Sequence, residues 1–148
     1  MQAASAYVTD EGETMQRITV EGGYPVWIEE IAKADTPWRD VDEIIAALRE
    51  RIQRHAGFAY IGVLDHYGLI LRLGETHPAE MRDAKAILFC PGAKRLNPVL
   101  PALCPGAISV ADMGNRFVIF FLDAPAFLPA QTLARWVADL RGKEAQDR

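Results

Sequence analysis

The sequence predicts an α+β domain in which a mostly antiparallel sheet is covered by two amphipathic helices. Three observations carry that expectation. Val41, Ile44, Ile45, Leu48 and Ile52 recur at helical spacing, Leu133, Trp136, Val137 and Leu140 do so again near the C-terminus, and the chain between them is a series of short β-rich runs punctuated by glycine and proline. An amphipathic helix must bury its apolar stripe, and one helix early and one late against a sheet achieves that.

Taken in order, residues 1–14 are small, polar and acidic around Asp10-Glu11-Gly12-Glu13, which predicts a flexible tail before a single domain over residues 15–142. Met15 to Val20 and Tyr24 to Ile28 flank Glu21-Gly22-Gly23, where glycine supplies the positive φ of a tight turn, so an N-terminal hairpin is expected. Asp40 followed by Glu43 resembles a capping box, which starts the first helix. Gly57 fits the left-handed position that ends it. Phe58 to Leu64 reads as a strand and Asp65-His66-Tyr67-Gly68 as a turn at its exit. Leu69 to Leu73 fits a strand or a short helix equally well. Glu75 to Lys85 reads as loop, and Ala86 to Cys90 as a central strand. Two prolines limit Asn97 to Leu103 to a short helical piece. Ala107 to Asp112 and Phe117 to Leu122 are expected to pair around Met113-Gly114-Asn115-Arg116. The last helix should close at Gly142, leaving residues 143–148 as a frayed end.

Composition excludes several functions. With 148 residues, half of them hydrophobic and 24% charged, the chain fits one ordinary globular domain. Its apolar runs, such as Phe117 to Leu122, are far shorter than the roughly 20 residues a membrane helix needs. The formal net charge of -4, with no clustering of lysine and arginine, argues against a nucleic-acid partner. Trp27, Trp38, Trp136, Phe117, Phe120 and Phe121 therefore read as core, not as base-stacking residues. A start without a basic segment followed by an apolar one points to the cytoplasm.

No phosphate-binding glycine loop, dinucleotide fingerprint, zincin motif or nucleophile elbow is present. The most unusual local feature is a doubled tetrapeptide, Cys90-Pro91-Gly92-Ala93 and Cys104-Pro105-Gly106-Ala107. A thiol before Pro-Gly sits at a turn, and two such thiols with His66 or His77 could hold a soft metal or cycle with a disulfide. The structural alternative is a small hydrophobe ending a strand. His55, His66 and His77 are spaced eleven apart, but intervening glycines break any continuous helix that would align them. Asp65-His66 places an acid and a base at a strand exit, although adjacent strand residues face opposite ways. The structural alternative there is an Asp that caps the next segment.

From about Val41 to Pro125 the order of features resembles the family called domain of unknown function 302. The first helix leads through Gly57-Phe58 into an apolar strand ending in Leu64-Asp65-His66. Ile87-Leu88-Phe89-Cys90 is followed downstream by Asn97-Pro98-Val99-Leu100, and the strands Ile108 to Val110 and Phe117 to Leu122 precede Asp123-Ala124-Pro125. That resemblance implies a strand, helix, four-strand, helix order like one half of the TATA-binding protein saddle, associating as a dimer.

The expected function is that of a small cytoplasmic binding domain, non-enzymatic and homodimeric, for a ligand or a protein partner. Its ligand-binding candidates are Asp65, His66, Cys90 and Asn97, near the Leu64 to Gly68 turn and the Cys90 to Asn97 loop. No cofactor is expected. The alternative is a redox- or metal-linked protein using Cys90, Cys104 and His66.

Overall fold

The computed structural model describes residues 2–8, 14–91, 106–124 and 129–142. Among these residues seven strands form one antiparallel sheet: β1 (Gln2–Val8), β2 (Thr14–Val20), β3 (Tyr24–Ala32), β4 (Phe58–Asp65), β5 (Asp83–Pro91), β6 (Gly106–Asp112) and β7 (Arg116–Leu122). Their order across the sheet is β1-β2-β3-β7-β6-β5-β4. Among the described residues three α-helices accompany them, α1 (Val41–Arg54), α2 (His66–Leu73) and α3 (Ala130–Ala138), with a short 3-10 turn at Lys33–Asp35. The expected α+β class is therefore observed. The strand, helix, four-strand, helix order runs from β3 to α3, with α2 as an additional helix between β4 and β5.

Both expected hairpins form. β2 and β3 pair around Glu21-Gly22-Gly23, where Gly22 and Gly23 hold φ of +80° and +133° and the Gly23 amide donates to the Val20 carbonyl at 3.1 Å. β6 and β7 pair beyond Asp112, whose carboxylate accepts from the Gly114 amide at 2.9 Å. The segment expected as an N-terminal tail contributes β1, antiparallel to β2. The signal for a tail came largely from Asp10 to Glu13, which lie outside the described residues.

α1 begins where the capping box places it. Asp40 Oδ1 accepts from the Glu43 amide at 2.8 Å, and Glu43 Oε1 reaches back to the Arg39 amide at 2.7 Å. Val41, Ile44, Ile45, Leu48 and Ile52 are all buried, as the spacing requires. The C-terminus is built differently from the expectation. Gly57 does not adopt a left-handed φ; its amide donates to His55 Nδ1 at 3.0 Å, and the His55 ring packs 4.7 Å from Phe58. A Cβ at position 57 would sit 3.0 Å from that ring, so the glycine serves close approach here. α3 is shorter than expected, ending at Ala138, with Leu140 still buried and the Gly142 amide bonded to the Asp35 carbonyl at 2.8 Å.

One face of the sheet carries the continuous core. Ile87 and Phe89 of β5, Ile108 of β6, and Phe117, Ile119 and Phe121 of β7 are essentially inaccessible and pack with the buried faces of α1 and α3. Phe58 stands edge-on to Phe89 at 5.3 Å and to Trp136 of α3 at 5.4 Å, linking the outer strand to the C-terminal helix. Trp27, Trp136, Phe117 and Phe121 are thus core, as expected, while Phe120 faces the other side of the sheet and is half-buried.

Asp40→Ala removes the side-chain acceptor for the first turn of α1, and an N-cap of this kind contributes about 1 kcal/mol. We expect a loss of that size in urea unfolding with an unchanged slope against denaturant.

Candidate functional site

The sequence candidates Asp65 and His66 lie where β4 ends and α2 begins. Asp65 is the N-cap of α2, with its Oδ1 accepting from the Gly68 amide at 2.9 Å. Gly68 is matched to that bond, because a Cβ there would stand 2.4 Å from Asp65 Oδ2. The acid is therefore engaged in starting a helix, which is the capping alternative the sequence left open. His66 is the first residue of that helix and half-buried. The expected turn at Asp65 to Gly68 is in fact the first turn of α2, which ends at Gly74 with φ of +70°. His77 lies beyond it, its ring 5.1 Å from Tyr67 and its Nδ1–H donating to the Pro78 carbonyl at 2.8 Å.

Cys90 is far from this point. It is buried near the end of β5, in register with Ala59, whereas Asp65 is in register with Lys85. Five residues of β5 separate those positions, about 16 Å at about 3.3 Å per residue. A site combining Cys90 with His66 is not assembled by this register. Asn97 and Cys104 lie outside the described residues, and so does most of the Cys90 to Asn97 loop. Among the described residues no group of three or more His, Cys, Asp or Glu side chains is arranged to hold a metal ion.

A small charged cluster surrounds the β4 exit. The Lys85 ammonium bonds to the Asp42 carboxylate at the start of α1, with Asp65 and Asp83 close enough to influence it. The bond to Asp42 raises the Lys85 pKa above the usual ammonium range. Burial raises the Asp83 carboxyl; the Ala84 amide and Lys85 oppose this, while Asp42 and Asp65 reinforce it. These are surface electrostatics that tie α1 to β5, and no nucleophile stands among them.

The feature that sequence reasoning missed is apolar. β4 is an edge strand, and Ile61, Val63 and Leu64 on it are 52%, 41% and 40% exposed. Leu71 and Leu73 of α2 are 56% and 61% exposed, and α2 has no buried residue although it packs against β5. Five of the large hydrophobics most open to water thus fall within residues 61–73. A signal was available in the sequence: Leu69-Ile70-Leu71 shows neither helical nor alternating polarity, so no arrangement against one surface could bury it all.

A family model described as Family of unknown function (DUF6858) matches residues 15–142. The chain belongs to that family. Neither the curated proteins nor the solved structures contain a significant match. DUF6858 membership corrects the resemblance to domain of unknown function 302, which rested on short apolar runs and on pairs such as Asp65-His66 and Asn97-Pro98. Such runs arise wherever hydrophobic strands meet turns, so they followed the secondary structure of this DUF6858 chain instead of its ancestry.

Asp83 titrates above its ordinary range in the folded protein, so its protonation favours folding at low pH and that contribution is lost as pH rises through the raised value. Asp83→Asn should therefore raise the melting temperature at pH 7, and the gain should vanish when melting is followed below about pH 3.8, the ordinary carboxylate value.

Proposed function

We propose that this protein is a binding domain that acts as a homodimer, associating through the apolar region formed by β4 and α2. The observation that carries the reading is α2 itself: a helix of mostly apolar side chains, none of them buried within its own chain. Large aliphatic side chains that are 40–61% exposed leave uncovered roughly half of the about 1.5–3 kcal/mol that full burial of each contributes. Five exposed aliphatic side chains within residues 61–73 are the kind of apolar surface that marks contact sites in proteins.

A role in binding a small molecule near the β4 exit is the finer part of the proposal, with His66 as the contact that remains half-open beside the Asp65 cap. The cytoplasm is the proposed setting, supported by a thiol, Cys90, that is buried in the sheet as a small hydrophobe would be. No helix among the described residues is long and apolar enough to cross a membrane.

Sedimentation velocity of the purified protein from roughly 1 to 100 micromolar tests the central claim, because this range spans a micromolar Kd, about -8 kcal/mol of association free energy. We expect the weight-average mass to reach that of two chains. A species that stays monomeric throughout this range overturns the reading.

A further inference from the structure

We infer that the two copies join edge to edge along β4, antiparallel about a two-fold axis near Gly62, so that the two sheets continue into one and the α2 helices flank the seam. This rests on the reading of the protein as a self-associating domain and says where and how the copies meet.

The first argument is geometric. Among the described residues β4 pairs only with β5, so its other edge offers backbone donors and acceptors to another strand. Consecutive residues of a strand face opposite ways, and Val63 and Leu64 are in register with Ile87 and Ala86, one on each face of the sheet. Both are open to water. A partner lying flat on one face would cover one of them; a strand added to the edge covers both.

The second concerns the bulge. The register shifts between Tyr60 and Gly62, which leaves Ile61 without a partner on β5. Edge strands commonly use such bulges, together with charged side chains, to repel other strands. Here the bulged residue is a half-exposed isoleucine, and Gly62 beside it has open space where a Cβ would be. The bulged position therefore carries no charge that would repel a second strand.

The third is charge. α1 runs antiparallel to β4, which gives the strand two ends of opposite sign. Near its start lie Arg49, whose guanidinium is 4.3 Å from the Tyr60 ring centre, and Arg54, with Glu50 as the opposing charge. Near its end lie Asp42, Asp65 and Asp83 around the single Lys85. An antiparallel two-fold brings each basic end beside the partner's acidic end, whereas a parallel arrangement would stack like on like. Isologous pairing of this kind closes at two copies.

Sedimentation equilibrium of the wild type, Ile61→Asp and Tyr24→Asp decides the matter, with circular dichroism confirming that the variants fold. Tyr24 is at least as exposed as the β4 residues but is the first residue of β3, away from this edge. Ile61→Asp sets two carboxylates near the axis and should raise the dimer Kd at least tenfold, while Tyr24→Asp leaves it unchanged. A wild-type protein that is monomeric removes the parent reading. A wild-type dimer whose Kd is untouched by Ile61→Asp, or weakened equally by Tyr24→Asp, overturns the β4 seam alone and leaves self-association standing, through the half-buried sheet face around Ile28 and Phe120 or elsewhere. Should Ile61→Asp fail to fold, amide exchange of the wild type replaces it: β4 amides should slow as concentration rises through Kd while α1 amides do not, and unchanged β4 exchange overturns the seam.

Discussion

The ladder between β3 and β7 is the constraint on which the rest of the structure depends. It pairs Val26 through Ala32 with Leu122 through Arg116, joining a meander of three strands from the first part of the chain to four strands from the remainder. Its core-facing rows are Trp27 with Phe121, Glu29 with Ile119 and Ile31 with Phe117, so the join is also the floor of the hydrophobic core. Ion pairs brace it from its flanks. Arg17 meets Asp123 at 2.6 Å, Lys33 meets Asp112 at 2.9 Å, and Arg141, just past α3, bonds to the buried Glu29 carboxylate and to the Glu30 carbonyl. Buried charge at such a join adds little net stability, since desolvation offsets the attraction, but leaving either partner alone would be costly, so the pairs fix one alignment against its neighbours.

With that join in place, the helices have little choice. α1 and α3 both have a single apolar stripe and both lie on the core side, where Leu48, Ile52, Leu133 and Val137 are buried. α2 has no such stripe and finds no such place. It is framed by the Asp65 cap and by Gly74, packs against β5 with Leu69 and Ile70 half-buried, and leaves Leu71 and Leu73 outward. The chain thus satisfies its amphipathic elements internally and leaves Leu71 and Leu73 of α2 open to water.

The same contrast governs what could be read in the sequence. Elements with a clear period, α1, α3 and both hairpins, were legible because periodicity states directly which face is buried. The Asp40 and Glu43 cap was legible because it is local. α2 was ambiguous because a run such as Leu69-Ile70-Leu71 fits helix and strand alike, and only the Asp65 to Gly68 bond decides it. The pairing of β3 with β7 has no local sign at all. The candidate site fared less well for a related reason: Asp65, His66 and Cys90 were grouped by chemistry, whereas the β4–β5 register sets the cysteine at one end and the Asp-His pair at the other. Chemistry proposes members of a site, and strand register determines which can meet.

The β3–β7 ladder also has a consequence in time. Its nearest partners, Ala32 and Arg116, are separated by most of the chain. At the usual elongation rate of about 5–20 residues per second, β3 emerges from the ribosome several seconds before the strand it needs. During that interval the β2–β3 hairpin presents Trp27 and Ile31 without a floor, and β3 has a bare edge. A nascent chain in this condition is a natural client for a chaperone that shields extended apolar segments, and the need for protection lasts until Leu122 has been synthesised.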